Sequence, residues 1–142
     1  MVLIMKPCIR EIEVQCNIHH VFSTLLRYPH FNVNHAEKIA FKERNIWVEV
    51  SNGEVQRRME MIADEKIKTI TLLCFNSTTI SHFDEKIIFS LHEKGKECTM
   101  IHMQCEPGET FSSKLGFHMR KQSIEIWMEK ILEIIKSKVY SR

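Results

Sequence analysis

Apolar side chains at Phe117, Ile124, Trp127, Met128, Ile131, Ile134, Ile135 and Val139 recur at steps of three and four residues. That spacing predicts one long helix from Glu109 to about Lys138 with a single apolar face. The opposite face carries Gln122, Glu125, Glu129, Glu133, Lys136 and Ser137, and Lys136 and Lys138 suit the negative end of the helix dipole. Pro107-Gly108 marks the start. At 1.5 Å per residue the helix is roughly 45 Å long, so its stripe needs an extended apolar partner, which a curved sheet supplies. Gly116 costs about 1 kcal/mol relative to Ala inside a helix. It predicts a bend at that point or a close approach of a ligand to the backbone, the plainer alternative being a simple kink or a helix that begins only at Phe117.

The sheet is legible upstream. Cys8 to Cys16 alternates as a half-buried strand, with Ile12 and Val14 facing inward. Asn17 offers an N-cap for a short helix carrying Ile18, Val21, Phe22, Leu25 and Leu26. Tyr28-Pro29 ends that helix, and His30 to His35 reads as a second short helix or compact loop. From Ala36 the period changes to two for about seventy residues. The predicted strands are Glu37 to Glu43, Ile46 to Val50 (carrying Ile46, Val48 and Val50 on its apolar face), Glu54 to Ile62, Ile67 to Phe75, Thr79 to Leu91 and Cys98 to Cys105, with Asn52-Gly53 the strongest hairpin signal. The order is β, α, α, six β, α, an α+β chain with a seven-stranded antiparallel sheet and a long C-terminal helix.

Composition narrows the function classes. A chain of 142 residues suits one domain, 1–142, with 1–6 as a loose N-terminal extension. Twenty basic and 18 acidic side chains are interspersed, giving +2 overall, so the footprint of a nucleic-acid binder is missing. Five cysteines without a C-x-x-C pair suggest neither a disulfide framework nor a zinc site, and point to a reducing cytoplasm. Eight histidines form no metal-ligating pair, so no metal and no cofactor is expected. No apolar run approaches the roughly 20 residues of an integral membrane segment.

Several passages resemble a known superfamily. Val21-Phe22-Ser23-Thr24-Leu25-Leu26 followed by Tyr28-Pro29-His30-Phe31, and Gly95 with Thr99 before Met100-Ile101, are similar to passages of START-like (SRPBCC) proteins. This superfamily includes the birch-pollen-allergen relatives. The similarity is strongest to its polyketide cyclase and coenzyme Q-binding branch. Leu26-Arg27 departs from it where an acidic residue usually precedes Tyr-Pro, as does Ile87 where a Trp often begins the sixth strand. The resemblance implies a helix-grip fold, in which the sheet curls around the C-terminal helix and leaves an apolar ligand cavity between them.

The strand parities and the helix supply lining candidates for that cavity. From the early helices and strands come Phe22, Phe31, Phe41, Arg57, Met59, Met61, Leu72, Phe89, Ile101 and Met103. From the C-terminal region come Phe111, Leu115, His118, Met119 and Gln122. Eight methionines suit an irregular apolar interior, and an apolar pocket with a few polar groups is the usual form of a small-molecule site. The function read from this is binding or transport of a hydrophobic small molecule, such as a lipid, quinone or polyketide-like compound. A second reading is a polyketide cyclase or dehydratase, with Arg57 holding an enolate or carboxylate while His118 moves a proton. A third is a respiratory or chaperone accessory module, or a homodimer, using outer apolar residues such as Ile9, Met100, Met1 to Met5 and Val139-Tyr140. On the cavity reading, Met103→Trp should block ligand uptake without disturbing the fold.

Overall fold

The computed structural model describes residues 6–76 and 82–141. Strand β1 (Cys8–Val14) is followed by helix α1 (Ile18–Leu25) and a 3₁₀ turn at Tyr28–Phe31. Six further strands come next: β2 (Lys38–Glu43), β3 (Ile46–Ser51), β4 (Glu54–Asp64), β5 (Thr69–Phe75), β6 (Glu85–Gly95) and β7 (Cys98–Pro107). Two helices, α2 (Phe111–Met119) and α3 (Lys121–Tyr140), close the chain. The strands form one antiparallel sheet in the order β1-β7-β6-β5-β4-β3-β2, so the first strand crosses over to pair with the last. This is the α+β helix-grip architecture.

Local chemistry accounts for the joints. Asn17 caps α1 by accepting from the His19 amide at 2.8 Å. The hairpin between β3 and β4 turns at Asn52 and Gly53, both with positive φ (56° and 74°), the pair of left-handed residues a tight primed turn requires. The Asp64 carboxylate accepts from the Lys66 amide at 3.0 Å and holds the next turn. Gly108 is fixed by close approach, since a Cβ there would lie 2.0 Å from the Phe83 carbonyl oxygen.

The core lies between the inner face of the sheet and α3. That helix buries Ile124, Met128, Ile131, Leu132, Ile135 and Val139, while Trp127 and Ile134 pack half-buried against the same cluster. Side-chain rows across the sheet complete it. One row runs Ile70, Phe89, Met103, with the exposed Ala63 at its margin, and the next runs Met61, Leu72, Ile87, Cys105. Arg10 on β1 reaches Glu125 and Glu129 on α3 at 2.5 and 3.1 Å, so two acids on the helix's polar face clasp the first strand. The Tyr140 hydroxyl accepts from the Gln15 amide at 2.9 Å and ties down the C-terminal end.

Several expectations change in detail. The second short helix is the 3₁₀ turn at Tyr28–Phe31, begun by Pro29, and residues 33–37 form an irregular connection. The predicted start of the sixth strand at Thr79 lies outside the described residues, and β6 is described from Glu85. The closing helix is two helices, and the bend falls at Arg120 instead of Gly116. Arg120 leaves helical geometry (φ −107°, ψ 12°), and its amide closes α2 on the Gly116 and Phe117 carbonyls. A methyl group on Gly116 would meet nothing within 4 Å. In β3 the parity is the reverse of an Ile46, Val48, Val50 core face, because Trp47 and Glu49 turn inward. Trp47 has the larger apolar surface to bury, and the pleat carries Glu49 with it.

Candidate ligand cleft

The reversed parity of β3 places a carboxylate inside the sheet. Glu49 is only 3% exposed, and it lies directly across from Arg57 in the pairing of β3 with β4. Arg57 Nη1 donates to Glu49 Oε1 at 2.5 Å. Asn34, in the connection before β2, donates from Nδ2 to both Glu49 oxygens at 3.2 and 3.3 Å. Its own Oδ1 accepts from the Trp127 indole at 3.1 Å. One hydrogen-bonded chain therefore links α3, a loop, β3 and β4, and it gives a buried carboxylate the partners it needs. Burial works against the charge on Arg57, but the bond to Glu49 and the surrounding negative groups raise its pKa overall.

One step along the sheet, Met59 pairs with Cys74 and Cys74 with Glu85. Glu85 is 9% exposed, and Arg120, at the joint between α2 and α3, donates to its Oε1 at 2.8 Å. The Cys74 thiol is pushed up to about 12 by burial and by the charge of Glu85. A thiol held in that form is a small apolar wall, not a nucleophile.

These groups converge on a cleft of about 280 Å³ between the sheet and the start of α3. Met59, Cys74, Ile87, Ile124 and Trp127 line it with Asn34, Arg57, Asn76, Glu85, Arg120 and Ser123. Two further grooves lie elsewhere. One, of about 490 Å³, runs along Leu26, Arg44, Asn45, Met61, Ile62 and Ala63. The other, of about 420 Å³, is lined by His20, Thr24, Arg27, His30, Phe31, Lys138 and Ser141. Neither gathers buried carboxylates. Among the described residues no three metal-ligating side chains come together, and no helix is long and apolar enough to cross a membrane.

Of the residues singled out in the sequence, Arg57 and Met59 line the cleft. Phe22, Leu72, Phe89, Ile101 and Met103 are packed into the closed core. Met61 is buried at the edge of the groove beside Leu26, and Phe31 is half-buried in the groove beside His20. Phe41 is exposed, with its ring 6.3 Å from Trp47 and 5.4 Å from His30. Phe111, Leu115, His118, Met119 and Gln122 are exposed on α2 and the first turn of α3, so His118 does not meet Arg57 in this cleft. Of the residues read as a dimer contact, Ile9 and Tyr140 are exposed, Met100 is half-buried, Val139 is buried in the core instead of lying on the outer surface, and Met1 to Met5 lie outside the described residues. The polar partners Asn34, Glu49, Glu85 and Arg120 were not foreseen. The available signal for Glu49 was Trp47, which fixes the inward parity of its strand.

No family model matches the sequence, and no curated protein matches it. Solved structures do. Truncated norcoclaurine synthase from Thalictrum flavum superposes with a TM-score of 0.73 at 12% identity, over 96% of this chain and 94% of that one. The same synthase in complex with dopamine and hydroxybenzaldehyde gives 0.70 over 94% and 86%, again at 12% identity. The di-domain ARO/CYC BexL gives 0.70 at 11% identity, covering 95% of this chain and 46% of that one. At these identities the likeness establishes the fold: the chain has the START-like, helix-grip fold.

Proposed function

We propose that the protein binds a compact apolar or aromatic molecule, carrying a carboxylate or carbonyl group, in the cleft between β4, β5, β6 and the start of α3. The observation that carries this reading is the convergence of Met59, Ile87, Ile124 and Trp127 with two half-exposed guanidiniums in one cavity. Arg57 and Arg120 each spend one N–H group on a glutamate and keep others for a ligand oxygen. The volume lies just under the roughly 300–1,000 Å³ of typical small-molecule sites, which favours a ring compound over a long-chain lipid. Native mass spectrometry of freshly purified protein tests the proposal. A stoichiometric bound mass in the range of one- to three-ring compounds supports it, and an empty protein that takes up no aromatic carboxylate from a panel counts against it.

Ring-forming catalysis is the second reading, favoured by Glu85, a carboxylate that lines the cleft and is almost wholly shielded from water. The synthase and the ARO/CYC protein among the structural neighbours suit this reading. On it, Glu85→Gln keeps ligand uptake and abolishes conversion of the bound molecule to a product of different mass.

A further inference from the structure

The groove of about 420 Å³ between α1, the 3₁₀ turn and the last turn of α3 shares no lining residue with the cleft. Arg27, Lys138, His20 and His30 stand around it, and no acidic side chain lines it. The sequence explains that bias, since neither Asn17 to Ala36 nor Ile134 to Arg142 contains an aspartate or glutamate. The acids of α3 lie elsewhere on the helix. At about 100° per residue Glu133 and Glu129 are turned about 140° and 180° away from Lys138, and Glu129 is taken up with Glu125 by Arg10. Glu37 and Glu43, the next acids after the turn, line no wall of the groove.

Basic side chains near a helix C-terminus commonly serve its last carbonyls. Here those carbonyls have other donors. The Leu26 and Arg27 amides donate to the Phe22 and Thr24 carbonyls at 3.1 and 3.0 Å. The Thr24 hydroxyl donates to the His20 carbonyl at 2.9 Å, and His20 Nε2 donates to the Val139 carbonyl at 2.8 Å. Among the described residues Arg27 and Lys138 form no ion pair. The Lys138 ammonium stands 5.9 Å from the centre of the half-buried Phe31 ring.

The geometry points to this groove as a binding site for the phosphate monoester of a small organic molecule. The Arg27 guanidinium and the Lys138 ammonium hold the phosphate by charge-assisted hydrogen bonds, the two imidazoles flank it, and the Phe31 ring is the apolar seat for the organic group. A monoester carries about −1.5 to −2 charges at neutral pH, which matches two fixed cations better than a carboxylate does. The volume falls within the roughly 300–1,000 Å³ of small-molecule sites, so the groove has room for more than the phosphate. The proposal does not rest on the ligand reading of the cleft.

The test is a titration of the full chain with phenyl phosphate, followed by amide chemical shifts. Saturable shifts are expected at residues 20–31 and 138–141, at lower concentration than with inorganic phosphate, and binding should weaken as salt is raised. Arg27→Gln with Lys138→Gln should bind at least about tenfold more weakly, at an unchanged melting temperature because both side chains are exposed. Ser123→Trp, which fills the cleft, should leave these shifts in place, so the two sites can fail separately. Shifts confined to the cleft, or undiminished binding by the double variant, would overturn the proposal. Inorganic phosphate binding as tightly as phenyl phosphate would remove the organic group from it. Sedimentation with phosphatidic acid vesicles of a protein that ignores phenyl phosphate would assign the groove to a lipid headgroup and overturn the small-molecule reading.

Discussion

Two ends of the same sheet face differ in kind. The row through Ala63, Ile70, Phe89 and Met103 is wholly apolar except where it ends at Arg10, and Phe89 and Met103 have no exposed surface. Four residues further along β5, about 13 Å away at strand spacing, the row through Met59, Cys74 and Glu85 carries a carboxylate, with the Glu49–Arg57 pair beside it. The first region is closed where Ile70, Phe89 and Met103 pack, and opens only at its exposed margin, where Ala63 borders the groove beside Leu26. The second stays open, because side chains whose polar atoms must be satisfied cannot interdigitate as methyl groups do. Stability and ligand space are therefore separated along one sheet, and each end should respond to mutation in its own way.

The largest effect is expected at the packed end. Phe89→Ala removes a side chain with no exposed surface and should cost about 3–5 kcal/mol, read as a lowered denaturant midpoint with ligand uptake unchanged in the molecules that remain folded. Met103→Trp belongs to the same group. It overpacks a closed core and should destabilise by about 1–3 kcal/mol, instead of blocking a cavity as the sequence suggests.

At the polar end, Arg57→Met strands the Glu49 carboxylate; losing one partner of a fully buried pair costs about 3–5 kcal/mol, and because the Arg57 side chain is 31% exposed the loss here should be below that range. Adding Glu49→Gln should restore most of that loss, a coupling that a double-mutant cycle measures directly. An unrestored double variant would show that the pair is not the source of the cost.

Alkaline pH probes both ends at once. Burial raises the pKa of Cys74 to about 12, and burial likewise raises that of Cys105 and Tyr28. The unfolded chain then releases these protons at lower pH than the folded one, and stability must fall as pH rises from 9 towards 12. Thermal melts across that window should show a steady decline, steeper than in a Cys74→Ala, Cys105→Ala variant. The smallest expected effect is at Gly116. Nothing in the fold requires a glycine there, so Gly116→Ala should stabilise α2 by about 1 kcal/mol at most, seen as slower amide exchange in residues 111–119.

Much of this fold is legible in the sequence, for physical reasons. Period-two patterns with Asn52-Gly53 and Pro107-Gly108 as punctuation mark the strands, and the α3 stripe predicts a helix buried on one face. The site is less legible. Glu49 and Glu85 look like solvated positions in an alternating strand, and only three-dimensional register reveals that each has an arginine within reach. The exposed stripe of α2 has the same period as a buried one. Periodicity shows that Phe111, Leu115 and Met119 share a face, and is silent on what that face meets. Arg57 and Met59 could be placed because they share the parity of Met61 in the β4 alternation, although the alternation of β3 points the other way.

The most direct test of the division between a closed end and an open one is a ligand titration of the wild-type protein beside Ser123→Trp. Ser123 is exposed at the cleft wall on the first turn of α3, so a tryptophan there can fill the cleft without entering the core. The titrant is a fluorescent aromatic anion such as anilinonaphthalene sulfonate. Saturable one-to-one binding to the wild-type protein, lost in Ser123→Trp at an unchanged melting temperature, is the predicted result. Equal binding to both proteins would place the ligand elsewhere and contradict the account.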